Sequence, residues 1–260
     1  MLRLAVIGHV EWVTFAHAPF VPGPGEIVHL TDPMPQPAGG GAVTAVALAR
    51  MGAEVTFFTT LGSDGRARPE LERHGVGIEA ALSNRPQTEV LALVDPAGER
   101  TLYVVGENEA PLATDPLPWD EIADMDGCYF TGYDPATIAL GRRARVLVVT
   151  ARRFDALVAS GVHADALVGS GRDRGERFDL SLLDRPPGHV IVTDGARGGS
   201  RYEAAPVPGP VVDTYGAGDT FAAGVLFGLA SGWPLSQTLA HAAERAAEAL
   251  TWRGALPPLP

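Results

Sequence analysis

The stretch that decides the fold is DTYGAGDTFAAG, residues 213–224, in which three small residues stand directly before an aspartate. Strand-like residues precede it, and after Gly218 the apolar residues Phe221, Val225 and Leu229 recur at helical spacing. The small residues therefore lie where a strand turns into a helix. The free N–H groups at such a helix start, with the positive end of the helix dipole, form an anion site that small side chains leave open.

Asp219 falls in the first turn of this helix, beside the predicted anion site. A carboxylate there can accept the proton of a hydroxyl that attacks a phosphoryl group, while backbone amides stabilise the charge on the transferred group. The stretch therefore predicts phosphoryl transfer, with Asp219 as the base and Gly216, Ala217 and Gly218 as the anion hole. Glycine at position 218 also permits a positive φ. For an isolated GAGD sequence, the alternative is a glycine-rich turn whose aspartate has no catalytic role and only interacts favourably with the positive end of the helix dipole.

The composition limits the chemistry and the partners. All 20 residues counted as Lys+Arg are arginine, which excludes a Walker A lysine and leaves phosphate contacts to arginine or backbone amides. The net charge of −11 argues against a nucleic-acid partner. Cys128 is the only cysteine, so no intramolecular disulfide can form, and no spacing typical of direct metal ligands is present. Without a signal-peptide core or an apolar run of about 18 to 20 residues, the sequence predicts a cytoplasmic protein with no membrane partner.

The chain alternates buried strands with helices, which predicts a doubly wound, mostly parallel α/β sheet flanked by helices. The predicted strands are LRLAVIG (2–8), EVTFFTTLG (54–62), CYFTG (128–132), RVLVVT (145–150), ALVGS (166–170) and HVIVTDG (189–195). The predicted helices cover residues 39–53, 68–76, 152–160, the segment after Gly218, and 236–252, the last capped by Ser236. We expect one domain over residues 1–260.

A second, smaller sheet is predicted from segments that break this alternation. TEVLALVDPAGERTLYVV (88–105) contains two strand-like runs around the turn sequence DPAG, which predicts a hairpin. EIVHL (26–30) alternates like a strand, and GSRYEAA (199–205) predicts a late exposed strand. We expect the strands of the small sheet within about residues 10–35 and 86–106.

The stretch at 213–224 resembles the DTxGAGD signature of the PfkB (ribokinase-like) carbohydrate kinase family, and D-T-x-G-A-G-D-T-F-x-x-G matches at every fixed position. The resemblance extends to PGPGEIV, GGGAVTAVALARMGA, TLGSDG, VTDGARGG and the C-terminal HAAERAAEALTWRGALPPLP. It implies a ribokinase-like fold, a small β lid over the sugar site, and transfer of the γ-phosphoryl group of ATP to a hydroxyl with Mg²⁺. It also implies a possible homodimer through the lid.

The resemblance implies sites for the nucleotide and its phosphates. VTDGARGG is similar to the family's VTLGxxG and implies nucleotide contacts at Thr193, Gly195 and Gly198, and His241 lies where the family places the adenine pocket. The family's NxxE motif falls on SGRDRGER (170–177).

In that segment, Ser170 replaces the family's asparagine, and Asp173 stands in for its glutamate. Arg172 and Arg174 are then expected near the phosphates, with a solvated charged loop as the alternative.

The expected acceptor site departs from the family. Val13 occupies the position of the family's substrate-binding aspartate, and Glu11, two residues earlier, is the expected substitute. Gly39 and Gly40 permit close approach of a ligand, although Val43 replaces the asparagine of the family's GGxxxN pattern. These losses of polar contacts imply a sugar or sugar-like acceptor different from ribose.

Three alternatives remain beside a sugar kinase. A nucleoside kinase of the same fold is favoured if Trp12 and Val13 stack on an aromatic base. A degenerate relative that binds a ligand without phosphorylating it is permitted by the altered motifs. A dinucleotide-dependent oxidoreductase ranks last, because LAVIG is not followed by GxGxxG.

Overall fold

The computed structural model describes residues 1–96, 98 and 100–259. Its strands are β1 (Arg3–Ile7), β2 (Glu11–His17), β3 (Thr31–Ala38), β4 (Glu54–Leu61), β5 (Val76–Leu82), β6 (Glu89–Val94), β7 (Arg100–Val105), β8 (Gly127–Phe130), β9 (Leu147–Thr150), β10 (Ala166–Ser170) and β11 (His189–Thr193). Its α-helices are α1 (Gly40–Arg50), α2 (Ala67–Arg73), α3 (Pro135–Gly141), α4 (Phe154–Ser160), α5 (Ala217–Ala230) and α6 (Leu235–Ala249).

In the described part of the chain, seven strands form one parallel sheet in the order β11-β10-β9-β8-β1-β4-β5. β1 is an interior strand of this sheet, between β8 and β4, and its side chains point alternately into two hydrophobic cores. Leu4 and Val6 pack with α1, α5 and α6, whereas Ala5 and Ile7 pack with α3 and α4. Helices therefore cover both faces, and the predicted doubly wound sheet is confirmed.

The strand order defines where a ligand crevice should form. From β1 the chain proceeds to β4 and β5 on one side, and later returns to β8 on the other side before continuing to β11. In doubly wound sheets, ligands bind where the connections diverge, outside the carboxyl ends of the strands. This point lies between His9, which follows β1, and Thr131, which follows β8.

The small sheet has the strand order β3-β2-β6-β7 among the described residues. β2 pairs in parallel with β6, and the pairs β2–β3 and β6–β7 are antiparallel. The hairpin predicted around DPAG is therefore confirmed, with the Gly98 amide donating to the Asp95 carbonyl at 2.9 Å. Ala97 and Glu99 of that segment lie outside the described residues.

The strand predicted at EIVHL is wrong. Residues 26–30 form no strand, and β3 instead covers TDPMPQPA, which contains Pro33, Pro35 and Pro37. β3 is an edge strand, and prolines at alternate positions can all turn toward the open edge, where no N–H group is needed. In the register with β2, Met34 lies opposite Phe15 and Gln36 opposite Val13, and the prolines Pro35 and Pro37 lie opposite Thr14 and Trp12.

Two smaller expectations are also wrong. GSRYEAA forms only isolated bridges, such as Gly199 with Tyr202, because the chain turns back on itself there. Ser236 does not cap α6, since the helix begins at Leu235 with Pro234 as its cap and no side-chain capping bond. A proline at this place suits the helix start without a capping hydroxyl.

No α-helix in the described residues is long and apolar enough to cross a bilayer.

Candidate active site

The turn before α5 is open to an anion. The first i→i−4 hydrogen bond of the helix runs from the Thr220 amide to the Gly216 carbonyl at 2.8 Å, so the preceding amides have no helical partner. A Cβ atom built on Gly218 would meet no described atom within 4 Å. The backbone of Ala217 and Gly218 is therefore accessible, as an anion hole requires.

The positive φ of this turn belongs to Gly216 and not to Gly218. Gly216 has φ 75° and ψ −4°, and a Cβ atom there would lie 3.0 Å from Val43 Cγ1. Gly218 already lies inside α5, where φ is negative. A side chain at position 218 would therefore block the anion site without straining the backbone, whereas one at position 216 would strain the turn.

Asp219 lies in the first turn of α5 as a partly exposed side chain. Desolvation raises the pKa of its carboxyl to about 7, the negative charge of Glu176 adds to the rise, and the positive charge of Arg152 opposes it. A Cβ atom on Gly40 would lie 3.1 Å from Asp219 Oδ1 and 3.2 Å from Thr131 Oγ1. Asp219 thus reaches the crevice between β1 and β8 with the pKa of a general base for neutral pH.

Gly39 and Gly40 bring the start of α1 close to the end of β1. Gly39 has φ 85°, and a Cβ atom there would lie 3.1 Å from the His9 ring. A side chain at either position would enter the space beside His9 or Asp219. The two glycines therefore form a wall of the same crevice.

Glu11 begins β2 and is buried, with only 9% of its surface exposed. Its Oε1 lies 3.8 Å from His9 Nε2. Burial raises the pKa of the Glu11 carboxyl, and a hydrogen bond from Asn108 and the charge of Arg153 limit that rise. Asn108, which follows β7, was not predicted from the sequence, since only the fold brings it to Glu11.

His9 is an uncharged member of the site at neutral pH. Burial first, and the charge of Arg153 second, lower the pKa of its imidazole to about 4. Its Nδ1 atom is buried and has no hydrogen-bond partner among the described residues. His9 therefore offers a polar atom that the chain itself leaves unpaired.

The opposite face of β2 carries Trp12. Strand alternation turns Trp12 away from Glu11, and the Arg66 guanidinium covers its ring at 4.9 Å from the centroid. Trp12 therefore does not face the crevice.

A charged cluster follows β9 and β10. The Arg152 side chain pairs with Asp173 and, at 3.3 Å, with Glu176 Oε1. Glu176 Oε2 accepts a hydrogen bond from the Ser170 amide at 2.6 Å, and burial raises the pKa of this carboxyl.

Glu176 is a residue that the sequence analysis missed. It raises the pKa of Asp219, whereas Asp173, the residue named from the sequence, pairs with Arg152. A glutamate is present in this segment, but at a different spacing from the family motif. Glu176 lies six positions after Ser170, whereas the asparagine and glutamate of the motif are three positions apart.

The expected nucleotide residues form a separate group. Thr193 ends β11, and Gly195 and Gly198 follow it with φ values of 56° and 79°. Arg172 packs over Gly195 and pairs with Asp194 at 2.9 Å. The structure thus places Arg172 at this loop and not beside Arg152.

His241 packs against the C-terminal half of α5. Its ring centroid is 5.7 Å from that of Phe227 and 5.2 Å from that of Trp233. Phe227 lies about 12 Å along α5 from Asp219, at the rise of an α-helix. His241 Nε2 is buried without a hydrogen-bond partner among the described residues.

The family model described as pfkB family carbohydrate kinase matches residues 1–154 and 180–260. The chain therefore belongs to the pfkB family of carbohydrate kinases. The unmatched segment, residues 155–179, contains Ser170, Asp173 and Glu176, where the family motif is altered.

Two curated relatives each match a part of the chain. The acarbose 7(IV)-phosphotransferase of Actinoplanes sp. is 44% identical over 81 residues, which cover 27% of this chain and 27% of that protein. The fructoselysine 6-kinase of Escherichia coli (strain K12) is 38% identical over 81 residues, which cover 29% of this chain and 31% of that protein. The matches thus span less than a third of each relative.

Solved structures match the whole chain. The ribokinase from Cryptococcus neoformans in complex with ADP has a TM-score of 0.71 and 21% identity, covering 100% of this chain and 98% of that one. The Arabidopsis thaliana ribokinase complexed with ribose and ATP has a TM-score of 0.76 and 19% identity, covering 99% and 96%. The predicted ribokinase-like fold is confirmed.

Proposed function

We propose that this chain transfers the γ-phosphoryl group of ATP to a hydroxyl of a sugar or sugar-like acceptor. The observation that carries the proposal is a carboxyl with a pKa of about 7, Asp219, beside an open helix N-terminus. Membership of the pfkB family supports it. The named relatives, an acarbose phosphotransferase and a fructoselysine kinase, agree with a sugar-like acceptor.

The proposed mechanism places the acceptor hydroxyl between Asp219 and the anion hole. Because the pKa of Asp219 is about 7, much of the carboxyl is ionised at neutral pH and can take the hydroxyl proton. The amides of Ala217 and Gly218 then stabilise the negative charge of the transferred group. The start of α5 holds both the Asp219 carboxyl and the amides of Ala217 and Gly218, so little reorganisation of these groups is needed during transfer.

Mg²⁺ fits the carboxylates beside Asp219. In proteins it is commonly held by one or two carboxylates together with substrate phosphates. No group of three or more His, Cys, Asp or Glu side chains could hold a metal ion within the described chain, so phosphates would supply the remaining ligands. Glu176 is the proposed carboxylate, and Asp173 orients Arg152 beside it. When bound, Mg²⁺ would neutralise charge on the transferred group.

For the nucleotide, we propose the loop of Thr193, Gly195 and Gly198, with Arg172 beside it. This loop follows β11 at the same edge of the sheet as the crevice, which supports the assignment. His241 stays the proposed adenine contact, supported by its unpaired Nε2 atom.

For the acceptor, we propose Glu11, Gly39 and Gly40, with the small sheet acting as a lid within one kinase domain. Their positions around the crevice support this site. A nucleoside acceptor has less support, because Trp12 is covered by Arg66 and does not face Glu11. A degenerate, non-catalytic relative has less support as well, because the pKa of Asp219 suits a base.

We also infer a homodimer through β7, the edge strand of the small sheet. Its exposed apolar side chains support this pairing: Leu102 (49% exposed), Tyr103 (43%), Val104 (52%) and Val105 (63%). Light scattering should give twice the chain mass for the parent and one chain mass for Val104→Glu. A monomeric parent would contradict the pairing.

We further propose a cytoplasmic location, with which the use of ATP agrees.

The test of the proposed function is ADP release with a panel of sugars, sugar alcohols and nucleosides. The parent and Asp120→Asn, a control at a side chain that is 97% exposed, should phosphorylate the same acceptors. Asp219→Asn should bind ATP but lose turnover. Binding of ATP and a sugar by the parent without phosphorylation of any acceptor would favour the non-catalytic alternative.

A further inference from the structure

Arg153 is a cation at the crevice that pairs with no carboxylate of the described residues. It follows β9, its Nε donates to the Thr131 carbonyl at 3.1 Å, and its guanidinium carbon lies 4.0 Å from the centroid of the Tyr133 ring. Burial lowers its pKa, although an arginine remains charged at neutral pH. Among the described residues, no carboxylate forms an ion pair with it within 4.0 Å.

The neighbouring Arg152, unlike Arg153, is paired with carboxylates. Arg152 has the carboxylates of Asp173 and Glu176 as direct partners, so its charge is balanced within the chain. A largely desolvated charge that lacks such a partner is costly. The cost is offset when a bound ligand brings the opposite charge.

The groups around Arg153 belong to the acceptor side of the site. Its charge lowers the pKa values of both His9 and Glu11, which places the three side chains near one another. The His9 ring lies 5.7 Å from the ring of Tyr133. Thr131, whose carbonyl accepts from Arg153, lies beside Gly40 in the crevice.

Glu11 does not supply the missing partner. It forms no ion pair with Arg153, and its surroundings disfavour the charged carboxylate, since burial raises its pKa. His9 is neutral, and its buried Nδ1 has no partner in the described chain. The pocket wall therefore combines one unbalanced cation with one unpaired imidazole nitrogen.

We infer that the acceptor carries an anionic group, a carboxylate or a phosphate, in addition to the hydroxyl that is phosphorylated, and that Arg153 binds this group beside His9. This inference rests on the proposed function and names the substrate class of the same site. We assign the anion to the acceptor and not to ATP, because the Arg153 guanidinium packs on Tyr133, whose ring lies 5.7 Å from the His9 ring, whereas the arginine whose charge acts on Asp219 is Arg152.

The first test compares neutral sugars with counterparts of the same carbon number that carry an anionic group. D-Glucose is paired with D-gluconate for the carboxylate, and D-ribose with D-ribose 5-phosphate and D-fructose with D-fructose 6-phosphate for the phosphate. The parent should prefer the anionic member of at least one pair by 10-fold or more in kcat/KM, and the pair identifies the anion. Equal or better turnover of every neutral member would overturn the inference while leaving the kinase activity established.

The second test uses Arg153→Gln and Arg153→Lys, with Arg143→Gln as the matched control, since Arg143 forms an exposed ion pair with Asp120. Arg153→Gln should raise KM for the anionic acceptor 10- to 100-fold, with little change in KM for ATP. Arg153→Lys should recover part of the loss, because it restores the charge without the planar fork. A rise in KM for ATP alone would assign Arg153 to the nucleotide and overturn the inference.

Binding measurements separate the inference from the proposed function if no acceptor is phosphorylated. Calorimetric titrations then use gluconate and ribose 5-phosphate against the parent, Arg153→Gln and Arg153→Lys, each checked for a cooperative thermal transition. Binding by the parent that weakens in Arg153→Gln supports the anion site even without catalysis. No binding of either anion by the parent, or equal binding by the parent and Arg153→Gln, overturns it.

Discussion

Replacing Asp219 by asparagine should stabilise the ligand-free protein at alkaline pH while it removes the proposed base. The pKa of the Asp219 carboxyl is about 7 in the folded chain, against an ordinary value of 3.8. A raised folded-state pKa favours folding below the ordinary value, and this contribution is lost as the pH rises through the folded pKa. Asparagine cannot ionise, so the variant escapes that loss.

The size of the effect follows from the two pKa values. The difference of about 3 pKa units corresponds to about 4 kcal/mol once the carboxyl is fully ionised, and to about 1.5 kcal/mol at pH 5. Because the side chain is partly exposed, water screens roughly half of this cost. We therefore expect the stability advantage of Asp219→Asn to grow by about 1 kcal/mol between pH 5 and pH 8, or about 2 to 4 °C in Tm.

The assay is thermal unfolding of the parent, Asp219→Asn and the exposed control Asp120→Asn at pH 5 and pH 8. Comparing the two pH values cancels any cost of asparagine that does not depend on pH. In parallel, kcat of Asp219→Asn should fall on the order of 10² or more with ATP affinity retained. The difference in Tm between the parent and Asp219→Asn could instead be the same at both pH values. That result would refute the raised pKa of the Asp219 carboxyl and its suitability as a base at neutral pH.

Three further predictions concern the same site. Glu11→Gln should raise KM for the acceptor about 10-fold and leave KM for ATP nearly unchanged, and unchanged acceptor kinetics would remove Glu11 from the site. Glu176→Gln removes a charge that raises the pKa of Asp219, so the acidic limb of the kcat/KM profile should move to lower pH; an unmoved limb contradicts this coupling. Gly218→Val should weaken ATP binding with Tm nearly unchanged, whereas Gly216→Val should lower Tm by several degrees; the reverse order would contradict the assignment of the positive φ.

Most of the fold is predictable because its signals are local. Short buried strands alternate with helices, and the small residues before Asp219 mark a helix start that the structure confirms. β3 escaped prediction because proline normally argues against a strand, and only its place at the edge of a sheet makes Pro33, Pro35 and Pro37 acceptable. The edge position of β3 depends on which strands it pairs with, and the local sequence does not indicate these partners.

The candidate site is less predictable for a related reason. Asp219 lies within a contiguous motif, so its neighbourhood can be inferred from the motif alone. Glu176, Asn108 and Arg153 reach the site from three separate segments, and their significance lies in which groups they face. The role of each of these residues depends on which charged or polar groups lie beside it. Those neighbours are set by the folded chain and not by the local sequence.

The exchange of the family aspartate for Val13 has a geometric consequence for the acceptor. In a strand, residues two apart face the same side, so Glu11 and Val13 share the inner face of β2, where they are 9% and 0% exposed. The carboxylate is therefore moved along the strand by about 6.6 Å, toward His9 at the end of β1. Under the proposed function, an acceptor whose hydroxyl contacts Glu11 would shift in the same direction. Arg153 acts on both His9 and Glu11 there, so the displaced carboxylate and the unpaired arginine favour the same kind of substrate, one with hydroxyls and an anionic group.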